Sequence, residues 1–300
     1  MTSPWRGTTT TARSTTASAP GGRVTTNFGG DDFALGLAIQ ADDKIVVAGE
    51  SDTLISADVA LARYNADGTL DISFGTGGKV ISDFGGTCDF ATSVAIQANG
   101  KIVVAGSSGA TCEGPFDFGL ARYNTDGTPD ITFGTGGKVT TDFGGTFDLA
   151  LDVAIQADSK IVAAGFTDAS GTRDFALARY NANGSLDVNF GPGGRVTTNF
   201  GGTRDQANGL AIQADDKIVA AGVSNASGAR DFALARYNTD GTLDISFGTG
   251  GRVTTDFGGG DGGNAVAFEP KGKIVVAGSS NASSTFDFAL ARYSAGGPSN

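Results

Sequence analysis

Five near-copies of one unit of 56–59 residues fill residues 20–294, and a chain built this way does not fold around a single ordinary core. The segment Lys-Ile-Val-(Val/Ala)-Ala-Gly begins at Lys44, Lys101, Lys160, Lys217 and Lys273, and Ala-Arg-Tyr recurs with Arg63, Arg122, Arg179, Arg236 and Arg292. The third copy shows the contents of a unit. A β-branched run, Val139–Phe143, ends at Gly144-Gly145. Ala150–Gln156 follows, and a short turn leads to Lys160–Gly165. A longer loop, Phe166–Arg173, precedes Asp174–Tyr180. These are four short strands bounded by Gly, Asn and Asp turns, and no segment keeps a helical period.

Ala-Ile-Gln, a turn and Lys-Ile-Val form a hairpin, with Asn99-Gly100 a favourable turn. Large and small apolar residues are expected on both faces of the Phe-Ala-Leu-Ala strand, which suits a sheet covered on both sides. Radially repeated four-stranded sheets make a β-propeller; an open solenoid of hairpins is the rival. Pro20–Gly30 is identical to Pro192–Gly202, so the repeats begin with an outer strand and stop at Tyr293, just before the next one is due. The expectation is therefore all-β: a five-bladed β-propeller of four-stranded antiparallel blades, its ring closed by the N-terminal strand Val24–Phe28. Residues 1–19, rich in Thr and Ser, are expected to be a disordered leader without a secretory h-region, and residues 295–300 a flexible tail.

Long motifs carry a resemblance. Phe-Ala-Leu-Ala-Arg-Tyr-Asn-x-Asp-Gly-Thr-Leu-Asp-x-Ser-Phe-Gly-x-Gly-Gly-Lys-Val and Ala-Ile-Gln-x-Asp-x-Lys-Ile-Val-Val-Ala-Gly resemble the delta-60 repeat β-propeller family of bacteria over about residues 20–294. The resemblance implies a propeller, often in secreted or surface-associated proteins, and brings no catalytic residues. Asn225-Ala-Ser and Asn281-Ala-Ser match the glycosylation acceptor pattern, which is incidental in a bacterial-type chain.

Charge and composition narrow the function. With 21 basic against 32 acidic residues, a net charge of −11 and no basic cluster, the chain disfavours nucleic acid and anionic membrane. It has no apolar run long enough to insert into a bilayer, and it is expected to act as a monomer. The absence of histidine removes the commonest general base and metal ligand. Cys88 and Cys112 lie in loops on the same face of one blade, so they can form a disulfide, the alternative being two free thiols. Such a bond would argue for an oxidising compartment.

Three further groups of residues are candidates. The turn Asn65-x-Asp67-Gly-x-x-Asp71 recurs at Asn124, Asp126 and Asp130, at Asn181, Asn183 and Asp187, and at Asn238, Asp240 and Asp244. Its oxygens resemble part of a Ca2+ loop, but capping of a tight turn explains them as well. The Ala-Arg-Tyr arginines and the acids before Phe (Asp117, Asp174, Asp231, Asp287) repeat as scaffold parts do, through interblade hydrogen bonds or ion pairs. The same holds for Phe74, Phe133, Phe190 and Phe247, which read as core.

Along the inner strands, Asp152 and Glu269 are the odd acids, too far apart along their strands for a glycosidase pair; Asp152 reads as a solvated channel residue. The loops between second and third strands vary most, and binding usually resides in such loops. The candidate binding face therefore carries Asp152, Ser93, Asp168, Arg173, Asn225, Arg230 and Asn281. The expected function is a non-catalytic scaffold or interaction module, secreted or at the cell surface, binding a protein or glycan. The alternatives are a carbohydrate-active enzyme with a site in the channel and a Ca2+-stabilised repeat protein.

Overall fold

A computed structural model describes residues 22–52, 56–270 and 272–294; the leader and tail expected at 1–19 and 295–300 lie outside them. Blade 1 comprises β1 (Asp31–Ile39), β2 (Ile45–Asp52), β3 (Ala57–Tyr64) and β4 (Lys79–Ser82). Blade 2 comprises β5 (Cys88–Ile96), β6 (Ile102–Gly109), β7 (Phe116–Tyr123) and β8 (Lys138–Thr141). Blade 3 comprises β9 (Leu149–Ile155), β10 (Ile161–Thr167), β11 (Asp174–Tyr180) and β12 (Arg195–Thr198). Blade 4 comprises β13 (Gln206–Ile212), β14 (Ile218–Ser224), β15 (Asp231–Tyr237) and β16 (Arg252–Thr255). Blade 5 contributes β17 (Asp261–Phe268), β18 (Ile274–Ser280) and β19 (Asp287–Tyr293). Each blade is an antiparallel meander, and successive inner strands β1, β5, β9, β13 and β17 contact one another. Parallel bridges such as Phe116–Phe147 and Arg173–Arg204 join adjacent blades on one face.

Contrary to expectation, the Phe-Ala-Leu-Ala strand does not mix large and small residues on both faces but sorts them, Phe and Leu to one face and Ala to the other, for a packing reason. Phe175 and Leu177 of blade 3 pack against Ala220, Ala233 and Ala235 of blade 4, while Ala176 and Ala178 receive Phe118 and Leu120 of blade 2. Each blade so presents a large face forward and a small face backward, and the large side chains of one blade pack over the small ones of the next. Phe74, Phe133, Phe190 and Phe247 are wholly buried, as core residues should be. Polar bonds repeat at the rim of each junction: the Tyr123 hydroxyl donates to Ser82 Oγ (2.7 Å), Tyr180 to Thr141 (2.8 Å) and Tyr237 to Thr198 (2.8 Å).

Every inner strand carries a β-bulge near its middle, opposite the Gly of Ala-Gly. The bulge turns the extra side chain toward the neighbouring blade. Thr92 Oγ1 contacts both Ala105 O in its own blade (3.1 Å) and Ala150 O in the next (2.9 Å), and Asn208 Nδ2 donates to Gly263 O (2.8 Å).

At the seam, Val24–Phe28 takes the outer-strand place beside blade 1. Thr26 Oγ1 bonds the Tyr64 hydroxyl (2.7 Å), the Phe28 amide donates to Asp32 (2.7 Å) and Lys79 Nζ donates to Asn27 O (3.0 Å). These are the bonds that outer strands make to the following blade elsewhere in the molecule. Among the described residues, however, no ladder joins this segment to β19, and blade 5 is three-stranded. The large face of β19 (Phe288, Leu290) is exposed, as is Leu37 of β1 at 67%, against 7% for its counterpart Val94. Between the segment and blade 1 lies a cavity of about 290 Å³ lined by Ala34, Ala48, Ala60 and Ala62. This is the small face that, at the other junctions, accepts a Phe and a Leu from the preceding blade.

Candidate functional site: the loop face

The loops between second and third strands meet the loops that link each outer strand to the next inner strand. Asp168 Oδ1 accepts from the Thr146 and Phe147 amides (2.6 and 3.0 Å), and Asn225 Oδ1 from the Thr203 and Arg204 amides (2.8 and 2.9 Å). Asn281 Oδ1 accepts from the Gly260 amide in the same way. These three candidates therefore staple one loop to the next. Blade 2 has Gly109 at the equivalent position, and there Cys88 and Cys112 form a disulfide, Cα–Cα 5.0 Å, beside a Thr87 Oγ1 bond to Ala110 O (3.0 Å). The covalent bond stands in for the missing side-chain staple. Replacing both cysteines by serine should lower unfolding free energy by about 3 kcal/mol, for a sequence separation of 24 residues. Denaturant titrations of the variant and of the reduced wild type should give matching midpoints, both below that of the oxidised protein.

Positions at the parallel bridges are not repeated. Ala57 and Cys88 occupy the first junction, and Phe116 and Phe147 the second, where Phe90, Phe116 and Phe147 stack with centroids 5.9 and 6.1 Å apart. The third carries Arg173 and Arg204, with Arg230 beside them at the start of β15. Arg173 lies over the Phe166 ring, 4.5 Å from its centroid. Arg204 Nε is buried with no acceptor, and burial together with the Arg230 and Arg173 charges pulls its pKa down.

Acidic triads lie on the same face. Asp58, Asp83 and Asp89 have carboxylate oxygens within 4.8 Å of one another, as do Asp117, Asp142 and Asp148, and Asp231, Asp256 and Asp261. Each triad joins the start of a third strand, the end of the outer strand of that blade and the start of the next inner strand. The inner member is held by a backbone amide: Phe84 to Asp89 (2.7 Å), Phe143 to Asp148 (2.6 Å), Phe257 to Asp261 (2.6 Å). Burial raises the pKa of Asp89, Asp117 and Asp148, and neighbouring carboxylates add to the rise. Asp117 and Asp231 were expected to serve interblade hydrogen bonds or ion pairs; among the described residues neither is in an ion pair, and each stands within its triad beside other acids. The arginines do bridge blades, since Arg63, Arg122 and Arg179 donate to Thr125, Ala182 and Thr239 carbonyls.

The turn residues considered as Ca2+ ligands have protein donors. Asp67 Oδ1 accepts from Thr69 N and Oγ1 (2.9 and 2.6 Å), and Asn65 Nδ2 donates to Thr69 Oγ1 (3.1 Å). Asp126 and Asp240 cap Thr128 and Thr242 alike, and Asn124 and Asn238 repeat the second bond. Asp71, Asp130 and Asp244 pair with Arg63, Arg122 and Arg236, and with Lys44, Lys101 and Lys217. This geometry is that of capped turns and ion pairs.

Asp152 is likewise engaged rather than solvated. Its Oδ1 accepts from Ser93 Oγ (2.7 Å) and the Val153 amide (2.8 Å), and its Oδ2 from the Leu210 amide (2.7 Å). It ties the inner strands of blades 2, 3 and 4 together, and burial raises its pKa. Glu269 pairs with Arg292 at 2.7 Å in blade 5.

A family model described as a domain of unknown function (DUF5122) beta-propeller matches residues 40–74, 97–133, 156–190, 213–247 and 270–297, one match per repeat. The chain belongs to this family. No curated protein matches it in sequence. Among solved structures, a protein of unknown function from Dyadobacter fermentans is 11% identical with a TM-score of 0.50, covering 86% of this chain and 74% of that one. An endo-arabinase from Bacteroides thetaiotaomicron is 12% identical with a TM-score of 0.48, covering 86% and 92%. A gluconolactonase from Xanthomonas campestris is 14% identical with a TM-score of 0.46, covering 87% and 72%. Likeness at such identity concerns the fold alone.

Sequence reading missed Arg204 and the triads. The signal for the triads was present as three aligned columns of acids. Their common destination became visible only once two blades were placed side by side.

Proposed function

We propose that the protein is a non-catalytic interaction module, secreted or held at the cell surface, that binds a protein or glycan through its loop face. The observation that carries this reading is the arginine cluster Arg173–Arg204–Arg230. Arg173 and Arg204 occupy bridge positions that other junctions fill with Ala57 and Cys88 or with Phe116 and Phe147, so the scaffold does not require them. Three cations together are conspicuous in a chain of net charge −11, and their guanidinium groups are suited to a carboxylate or sulfate on the partner. The adjacent Phe90–Phe116–Phe147 stack offers an apolar flank. The disulfide on the same face fits an oxidising compartment.

The test is binding to an array of uronate- and sulfate-bearing glycans and to acidic extracellular proteins. The R173Q/R204Q/R230Q variant should bind at least tenfold more weakly than wild type, and added salt should weaken the wild type most. Retention of full affinity by this variant, or turnover of a polysaccharide by the wild type, would remove the reading.

A further inference from the structure

We propose that the acidic triads are divalent-cation sites that clamp neighbouring blades, with Ca2+ the fitting ion. The best-formed is Asp231–Asp256–Asp261, between blades 4 and 5. Asp231 and Asp261 are 3% and 2% exposed, and each has one buried oxygen, Oδ1, without a hydrogen-bond partner. Their other oxygens are fixed, by Ser227 Oγ on Asp231 (2.6 Å) and by the Phe257 amide on Asp261 (2.6 Å). Asp256 is exposed and accepts the Gly258 amide through Oδ1. Three carboxylates from three loops therefore converge, each anchored by one oxygen.

A buried acceptor left without a donor is costly, and two in one cluster of like charge compound the cost. No ion pair among the described residues involves the nine acids of the three triads. The oxygens lie within 4.8 Å of one another, and two ligands on opposite sides of a Ca2+ ion are separated by about 5 Å, so one ion can reach all three. The donors are oxygen only and the chain has no histidine, which favours Ca2+ over transition metals. The exposed third member leaves the remaining positions to water, and the loop-borne carboxylates suit the looser shell of Ca2+ better than the strict octahedron of Mg2+.

Two junctions lack the third carboxylate, although Asp174, Asp205 and Asp32 there also keep an Oδ1 without a partner. Between blades 3 and 4 the middle acid is Asn199, which still accepts the Gly201 amide, and at the seam it is Asn27, accepting from Gly29. The loop thus needs only an Asx oxygen there, and the third carboxylate at three junctions is surplus to the fold. This inference is independent of the partner-binding proposal.

The test uses the whole chain, freed of metal by chelation, titrated with CaCl2 at neutral pH by calorimetry and by thermal melting, with MgCl2 in parallel. The expected result is about three equivalents of Ca2+, a melting temperature raised by at least about 5 °C at 5 mM and a weaker response to Mg2+. The D83N/D142N/D256N variant, built on the Asn that the fold already accepts, should melt cooperatively and lose the Ca2+ response. Should the triple variant fail to fold, D256N alone should reduce the stoichiometry by one. No heat and no shift up to 10 mM Ca2+ would overturn the proposal, and so would variants that bind as the wild type does.

Discussion

Asp130→Ala should destabilise the protein by about 3–5 kcal/mol in a denaturant titration, among the largest effects of any single change away from the apolar core. Asp130 accepts from Arg122 Nε and Lys101 Nζ through Oδ2, each at 2.6 Å, while its Oδ1 takes the Thr132 amide and hydroxyl (3.2 and 2.7 Å). Arg122 lies over the Phe133 ring at 4.7 Å and donates to Ala182 O of the next blade. Removing the carboxylate leaves a guanidinium that is 5% exposed without its counter-ion, and that stranded charge, more than the lost attraction, sets the size of the effect. Exchanging Arg122 for Met together with Asp130 for Leu should cost much less, because the buried guanidinium leaves with its counter-ion and only the partly exposed Lys101 loses a partner.

The same group fixes a pH response. Burial alone would raise the Asp130 pKa, but hydrogen bonds from Lys101 and Thr132 and the Arg122 charge hold it well below the usual carboxylate range. For Asp71, the Ser73 bond leads in lowering it; for Asp244, burial is opposed by Lys217, Ser246 and Arg236, with the same net direction. A depressed folded-state pKa stabilises the protein above the unfolded value, about 4, and that contribution is lost as pH falls below it. The stability of wild type should therefore drop below about pH 4, and Asp130→Ala should show a shallower drop.

Gly165→Ala should cost at least about 3 kcal/mol, read in the same titration. A Cβ there would lie 1.8 Å from Leu149 O, the backbone of the adjoining inner strand at its bulge, and no flexible side chain is available to yield. Gly119→Ala is the contrasting substitution. Blade 2 has Gly119 where other blades have Ala60, Ala176 and Ala233, and the added methyl meets its nearest atom at 3.3 Å. It should change stability by less than about 1 kcal/mol. Equal effects at the two glycines would remove the argument from close approach.

Much of this architecture is legible in the sequence because the repeat exposes its own constraints. Asp174–Tyr180 was readable as a strand to the residue, since Phe-Ala-Leu-Ala alternates and Asn turns close it. Gly100, with φ 79°, marks the hairpin between β5 and β6 as Asn-Gly should. The bulges at Thr92 and Asn208 were not readable, because one extra residue in a strand buried on both faces leaves the apolar pattern nearly unchanged. The tie from Asp152 to Leu210 spans two blades, and a single odd acid on an inner strand gives no hint of its acceptor role. The variable loops and the loops after the outer strands do meet on one face. Within it, Asp168, Asn225 and Asn281 are fasteners, whereas Arg204, which looked like one more loop residue, has a free donor.

The large-forward, small-backward packing gives each blade a direction, and this bears on how such a chain can change over generations. An in-frame duplication or loss of one whole unit, cut at any point in the repeat, regenerates a junction of the same kind. Phe and Leu still meet Ala, and Arg still reaches the next turn. Blades are therefore interchangeable in order as well as number, and each carries its own loop with it. A lineage can rearrange what the face displays by recombination between copies, without having to invent a new core.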